Sequence, residues 1–298
     1  MDPLPSTDDH PFAQDTPRVW TVFTTLVLAL VLAVLFQILF VGGLVAFEFS
    51  RDVKPDNIGA MLLERLLTPM GFIGIAACGQ LGFAIAGFGA ASRSPEPFRQ
   101  RIGWHPAKPS WRVYPVAMLA SVFVLAVGFA AAYVVSKVIP ADQSLQKTFD
   151  AMTVPWAIVF VLFIGIVPGV VEEVLFRGYM QQRLIRRWGV TTGIVVTSIL
   201  FALVHITPHA IAAVVPLGFW LGYVAYRSGS ILPGILCHFF VNAGLNAWRM
   251  VVKFSEVSES GQFAFHVTIV LIGALCFAVC LAPSFWRGRS RDPAITPS

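Results

Sequence analysis

Seven stretches of this chain contain no Asp, Glu, Lys or Arg: 19–47, 66–92, 113–136, 154–171, 188–226, 228–248 and 262–286. A helix rises about 1.5 Å per residue, so roughly 20 apolar residues cover about 30 Å of hydrocarbon. Each stretch is therefore a candidate membrane crossing. The fifth is long enough for two, and Thr207-Pro208 breaks it, so it reads as two short helices, 191–206 and 211–226. No period-two alternation supports a barrel wall. The expected fold is all-α: a polytopic transmembrane helix bundle of about eight spans.

Composition agrees, with 56% hydrophobic and 12% charged residues, against roughly 25% charged in soluble domains. The 21 basic and 16 acidic residues leave a formal charge of +5. The basic residues are scattered over short loops rather than gathered in a patch, which argues for a topological role and against nucleic-acid binding. Counted by side, the tails and even-numbered loops hold 14 Lys and Arg and the odd-numbered loops 7. The positive-inside rule then places both termini in the cytoplasm. The first run follows an acidic tail and exceeds a signal-peptide core, so it is expected to stay as an anchor. Cys78, Cys237, Cys276 and Cys280 lie in apolar stretches without CxxC spacing and read as small packing residues.

One segment does not belong in lipid. In Gly165-Ile-Val-Pro-Gly-Val-Val-Glu172-Glu173-Val-Leu-Phe-Arg177 two carboxylates and a guanidinium interrupt an apolar helix, where insertion scales charge about 2.5–3.5 kcal/mol for such a group at mid-bilayer. Glu173 and Arg177 are four apart and in the favourable Glu-to-Arg order, so they are expected to pair on one helical face. Glu172 lies about 100° away and lacks that partner. Two histidines follow, His205 in Phe201-Ala-Leu-Val-His205 and His238 in His238-Phe-Phe-Val-Asn242, the latter sharing a face with Asn242.

Depth ties these groups together. A hairpin turning at Trp188-Gly189 sets Glu172 and His205 level on antiparallel helices, because 188.5 is their midpoint. Glu172 lies 11 residues before Arg183 and His238 lies 11 after Arg227, each about 16 Å deep. Independent structural polar residues have no reason to select one layer, so the coincidence points to a functional cluster. The same count predicts one long helix from Val154 to about Arg187, bent near Pro168-Gly169.

A buried carboxylate, two imidazoles and an amide suit activation of water and stabilisation of an oxyanion. Glu172, farther from Arg177, is the better proton acceptor, while Asn242 and one histidine are candidate oxyanion donors. No Ser or Cys stands where a nucleophile is needed, since Cys237 points to a different face from His238. Direct attack by water is the expected chemistry. A catalytic zinc is the open alternative, because two histidines and a glutamate from different helices can form such a site. No HExxH motif is present, and Pro208 interrupts the His205/His209 pair.

The order Glu172-Glu173-x-x-x-Arg177, Phe201-x-x-x-His205, His238-x-x-x-Asn242 resembles the three motifs of the CPBP intramembrane endopeptidases, also called the Abi or CAAX prenyl protease-like family. The similarity covers about 154–248. It implies that Glu172 and His205 activate the water, that His238 and Asn242 hold the oxyanion, and that Glu173 and Arg177 support the site. The family is often described as metalloproteases, although the glutamate mechanism needs no metal; no cofactor is expected here.

The expected partners are a hydrophobic or prenylated peptide substrate and the lipid bilayer, and the expected location is a multi-pass membrane protein, in the inner membrane if bacterial. The chain divides into a cytoplasmic tail (1–18), three N-terminal spans (19–150), the CPBP-like helices (151–250), and a last span with the C-terminal tail (251–298). Two rivals from other classes are a proton-coupled transporter, with the same residues as a relay, and a non-catalytic membrane scaffold or immunity protein.

Overall fold

The computed structural model describes residues 18–51, 58–93, 97–140 and 144–286. The acidic N-terminal tail and the C-terminal arginines that entered the charge count lie outside the described residues, so the orientation of the termini stays an expectation. In chain order the helices are α1 (Trp20–Phe49), α2 (Ile58–Leu67), α3 (Pro69–Ser92), α4 (Phe98–Arg101), α5 (Val113–Ser136), α6 (Ser144–Asp150) and α7 (Val154–Glu173). A π-helix (Val174–Gln181) follows, then α8 (Gln182–Trp188), α9 (Val190–Leu203), α10 (Pro208–Ser228), α11 (Leu232–Phe254) and α12 (Glu259–Leu281). No strand occurs among the described residues.

Seven of these are long and apolar enough to cross a membrane: α1, α3, α5, the continuous stretch Val154–Trp188, α10, α11 and α12. The eighth expected crossing is α9, shorter at 14 residues and so about 21 Å long. Thr207 ends the break and caps α10, its hydroxyl accepting from the Ala210 amide at 3.3 Å, with Pro208 at the first helical position. The chain is an integral multi-pass membrane protein.

The stretch 154–188 runs as one rod with Pro168 inside it, as the sequence predicts. Its second half departs from the expectation: after Glu173 the hydrogen bonding changes from i→i+4 to i→i+5 for eight residues. Runs of this kind are rare and concentrate at functional sites. Around this rod pack α3, α9 and α11. Gly165 makes one of these contacts possible, since an ideal Cβ there would lie 2.8 Å from Ala243 Cβ.

The turn between α10 and α11 is itself buried, and the segment 103–108 covers it. The Ile231 amide donates to the Gly103 carbonyl at 3.0 Å, the Lys108 amide donates to the Ser228 carbonyl at 3.0 Å, and the Ser230 hydroxyl donates to the His105 carbonyl. His238 lies six residues from the helix start at Leu232.

Candidate active site

Three helices meet where the rod changes from α to π. Glu173 and Arg177, both fully buried, pair at 2.8 Å (Nη1 to Oε1) as their spacing predicts. Arg177 has further partners: its Nη2 donates to the Gly218 carbonyl at 3.1 Å, and its guanidinium lies 4.1 Å from the centroid of the Phe201 ring. One turn along, Gln181 Nε2 donates to the Gly222 carbonyl at 2.9 Å. The two bonds keep one offset of 41 residues, so the rod and α10 run side by side in register. A carboxylate and a cation that have left water are retained by this pairing, although Glu173 Oε2 and Arg177 Nε are buried without hydrogen-bond partners.

Glu173 also holds His238. The same Oε1 accepts from His238 Nδ1 at 3.1 Å. With Nδ1 donating, the far nitrogen, Nε2, is turned toward Glu172 and stands 3.9 Å from its Oε2. Arg177, Glu173 and His238 thus form a chain in which the ion pair orients the imidazole and the imidazole faces the second carboxylate. The sequence expectation that Glu172 lacks the arginine holds. Its Oε1 accepts instead from Gln80 Nε2 on α3 at 2.7 Å. Its Oε2 is buried and has no hydrogen-bond partner.

His205 lies just past the end of α9. Its Nδ1 is 3.0 Å from the Phe201 carbonyl; a carbonyl only accepts, so Nδ1 carries the hydrogen and Nε2 keeps its lone pair in the neutral ring. The next residue, Ile206, has φ +66°, a costly conformation for a β-branched side chain and one that turns the chain sharply after the histidine. His205 and His238 do not touch. Each packs edge-on against Phe201, with ring centroids 5.4 and 5.8 Å away. Phe201 is thereby the shared wall of the site, contacting Arg177 and both histidines.

Asn242 is placed differently from the rest. Its Nδ2 donates to the Ile164 carbonyl at 3.1 Å. That carbonyl is the one whose helical donor Pro168, four residues on, cannot supply. In a bilayer a freed carbonyl needs a new partner, and Asn242 provides it while tying α11 to α7 beside Pro168. One amide hydrogen remains. His209 is drawn away, its Nε2 donating to the Ile139 carbonyl of another loop at 3.0 Å. Cys237 faces Ser121 and Trp220.

The structure therefore brings together Glu172, Glu173, Arg177 and His238 directly, joins His205 through Phe201, and sets Asn242 on the Ile164 carbonyl of α7. Sequence reasoning missed Gln80, whose only signal was an uncharged polar residue in the middle of an apolar run. Among the described residues no group of three His, Cys, Asp or Glu side chains is arranged to hold a metal ion.

Residues 154–244 match the family model described as type II CAAX prenyl endopeptidase Rce1-like. That segment is similar to the domain of a CAAX protease-like peptidase family. All seven residues named in the three sequence motifs fall within it. Gln80 lies outside it. Neither a curated protein nor a solved structure matches the chain.

Proposed function

We propose that this protein is an intramembrane endopeptidase that hydrolyses a peptide bond of a lipidated or hydrophobic peptide by direct attack of water. The observation that carries the reading is the arrangement at Glu172: one carboxylate oxygen is anchored by Gln80, and the other is buried, unpartnered and faced by His238. A buried polar atom without a partner is costly, and a carboxylate oxygen in that state is a natural base for a water molecule.

In this reading the water sits at Glu172 Oε2 and against His205 Nε2, which is free to accept. Its oxygen attacks the scissile carbonyl carbon while one proton passes to Glu172. The carbonyl π pair moves to its oxygen, which takes hydrogen bonds from the remaining amide hydrogen of Asn242 and from His238 Nε2, a donor in the imidazolium form because Nδ1–H is held by Glu173. The C–N bond then breaks, and the leaving amine takes the proton held by Glu172. Glu173 and Arg177 do not react; they fix the imidazole of His238.

The substrate class follows from surroundings rather than from a shaped pocket. Glu172, His238 and Asn242 lie within helices long and apolar enough to cross a membrane, and His205 follows the shorter α9, so the peptide must enter an apolar environment. The expected orientation, with both termini cytoplasmic, opens the site toward the inner leaflet. The test is cleavage of prenylated and plain hydrophobic peptides by detergent-purified protein, with Glu172→Gln as control and with and without chelator. Cleavage that is lost in the variant and survives chelator supports a glutamate-based, metal-independent hydrolase. Loss with chelator moves the chemistry to a metal, and proton-gradient-dependent transport without cleavage would replace the peptidase reading by a transporter.

A further inference from the structure

The domain that matches the peptidase family ends far from α3, yet α3 reaches into its centre. Gln80 stands midway along α3, and its Nε2 donates to Glu172 Oε1 at 2.7 Å, across 92 residues of sequence. The contact is held in place along the helix: Phe83 packs on Phe176 with ring centroids 6.4 Å apart, and Gly87 lies against Leu175, an ideal Cβ there being 3.1 Å from Leu175 Cβ. The position of the amide is thus set by the seam between α3 and the rod, not by a flexible loop.

From this geometry we infer that Gln80 is a positioning residue for Glu172, resting on the hydrolase reading above. The two oxygens of a free carboxylate are equivalent, and either can take a proton. A donor fixed on Oε1 removes that equivalence. It makes Oε1 the oxygen that becomes the carbonyl when the acid forms, and leaves Oε2 as the basic one, turned toward His238. The proton that leaves the water goes to Oε2, and Gln80 keeps its bond to Oε1 before and after the transfer because a carboxylic acid carbonyl still accepts. The carboxylate plane is held throughout. The carbonyl oxygen of Gln80, Oε1, is itself buried and without a partner.

The alternative is that Gln80 only satisfies a buried carboxylate and stabilises the fold. Two measurements separate the cases. In the first, infrared spectra of the purified protein identify the Glu172 carboxyl band as the one lost in Glu172→Gln. That band shifts in Gln80→Met, an apolar substitution of similar size that lipid-facing helices tolerate; an unmoved band overturns the proposal whether or not the protein cleaves peptides. In the second, kcat for a cleaved peptide falls about tenfold to a hundredfold in Gln80→Met, as expected for losing a hydrogen bond to a charged group, with KM near that of the wild type. Gln80→Met added to Glu172→Gln lowers the residual rate no further, because its effect passes through that carboxylate. A wild-type kcat in Gln80→Met, or an equal loss in both backgrounds, overturns the proposal. A shifted band in a wild-type protein that cleaves no peptide supports the positioning of Glu172 while refuting the peptidase reading, so the two failures are told apart.

Discussion

Replacing Arg177 by Met tests the central ion pair on its own terms. The substitution keeps most of the side-chain volume and removes three interactions at once: the 2.8 Å bond to Glu173, the 3.1 Å bond to the Gly218 carbonyl and the stacking over Phe201. Glu173 stays behind as a fully buried carboxylate with His238 Nδ1 as a donor. Breaking a buried pair by removing one partner costs about 3–5 kcal/mol, chiefly for the charge left behind, whereas replacing both partners by uncharged groups is often close to neutral. Glu173→Gln alone strands the guanidinium in the same way. The double variant Glu173→Gln/Arg177→Met therefore unfolds later than either single one, with a coupling of about 3 kcal/mol between the two positions. Thermal unfolding of detergent-purified protein, followed by tryptophan fluorescence beside the yield of monodisperse material, reads the order of the four Tm values. Additive losses, or an Arg177→Met protein with the wild-type Tm and yield, would refute the reasoning.

Glu172→Gln and His205→Ala are expected to abolish peptide cleavage, at least a thousandfold in kcat, while Tm stays near the wild-type value; a parallel collapse of Tm would make these residues structural instead. Gly128→Ala is expected to lower Tm at a place remote from the chemistry. An ideal Cβ there would lie 2.1 Å from the Ala213 carbonyl oxygen, so α5 and α10 must separate, at a cost of about 1–3 kcal/mol. An unchanged Tm would mean that the two backbones do not approach so closely.

The spans were legible because hydrocarbon sets a length and excludes charge, and both are visible residue by residue in runs such as 113–136. The Glu173–Arg177 pair was legible for a related reason, since four-residue spacing on a helix fixes neighbours without knowledge of the fold. Levels across the hairpin at Gly189 followed from helical rise alone. What could not be read depends on which helix lies beside which. Gln80 and Gln37 look alike in sequence, each a lone amide in an apolar run; one meets Glu172 and the other donates to the Ile75 carbonyl at 3.3 Å. The π-helix at Val174–Gln181 leaves no residue signature in the sequence.

Asn242 carries two assignments that one pair of substitutions can separate. The amide donates one hydrogen to the Ile164 carbonyl at 3.1 Å, which is unpaired within α7 because Pro168 has no N–H. Asn242→Ala strands that carbonyl and is expected to lower stability by about 1–3 kcal/mol together with activity, a result that says nothing about catalysis. Pro168→Ala returns an N–H to the helix in line with Ile164, so the carbonyl no longer needs the asparagine. The double variant Pro168→Ala/Asn242→Ala is accordingly expected to regain the Tm of Pro168→Ala. Its cleavage rate is expected to stay about 100- to 1000-fold below that of Pro168→Ala, because the second amide hydrogen is the one assigned to the oxyanion. Activity that returns with the Tm would show that Asn242 serves only to satisfy the Ile164 carbonyl of α7, and that the oxyanion is held without it.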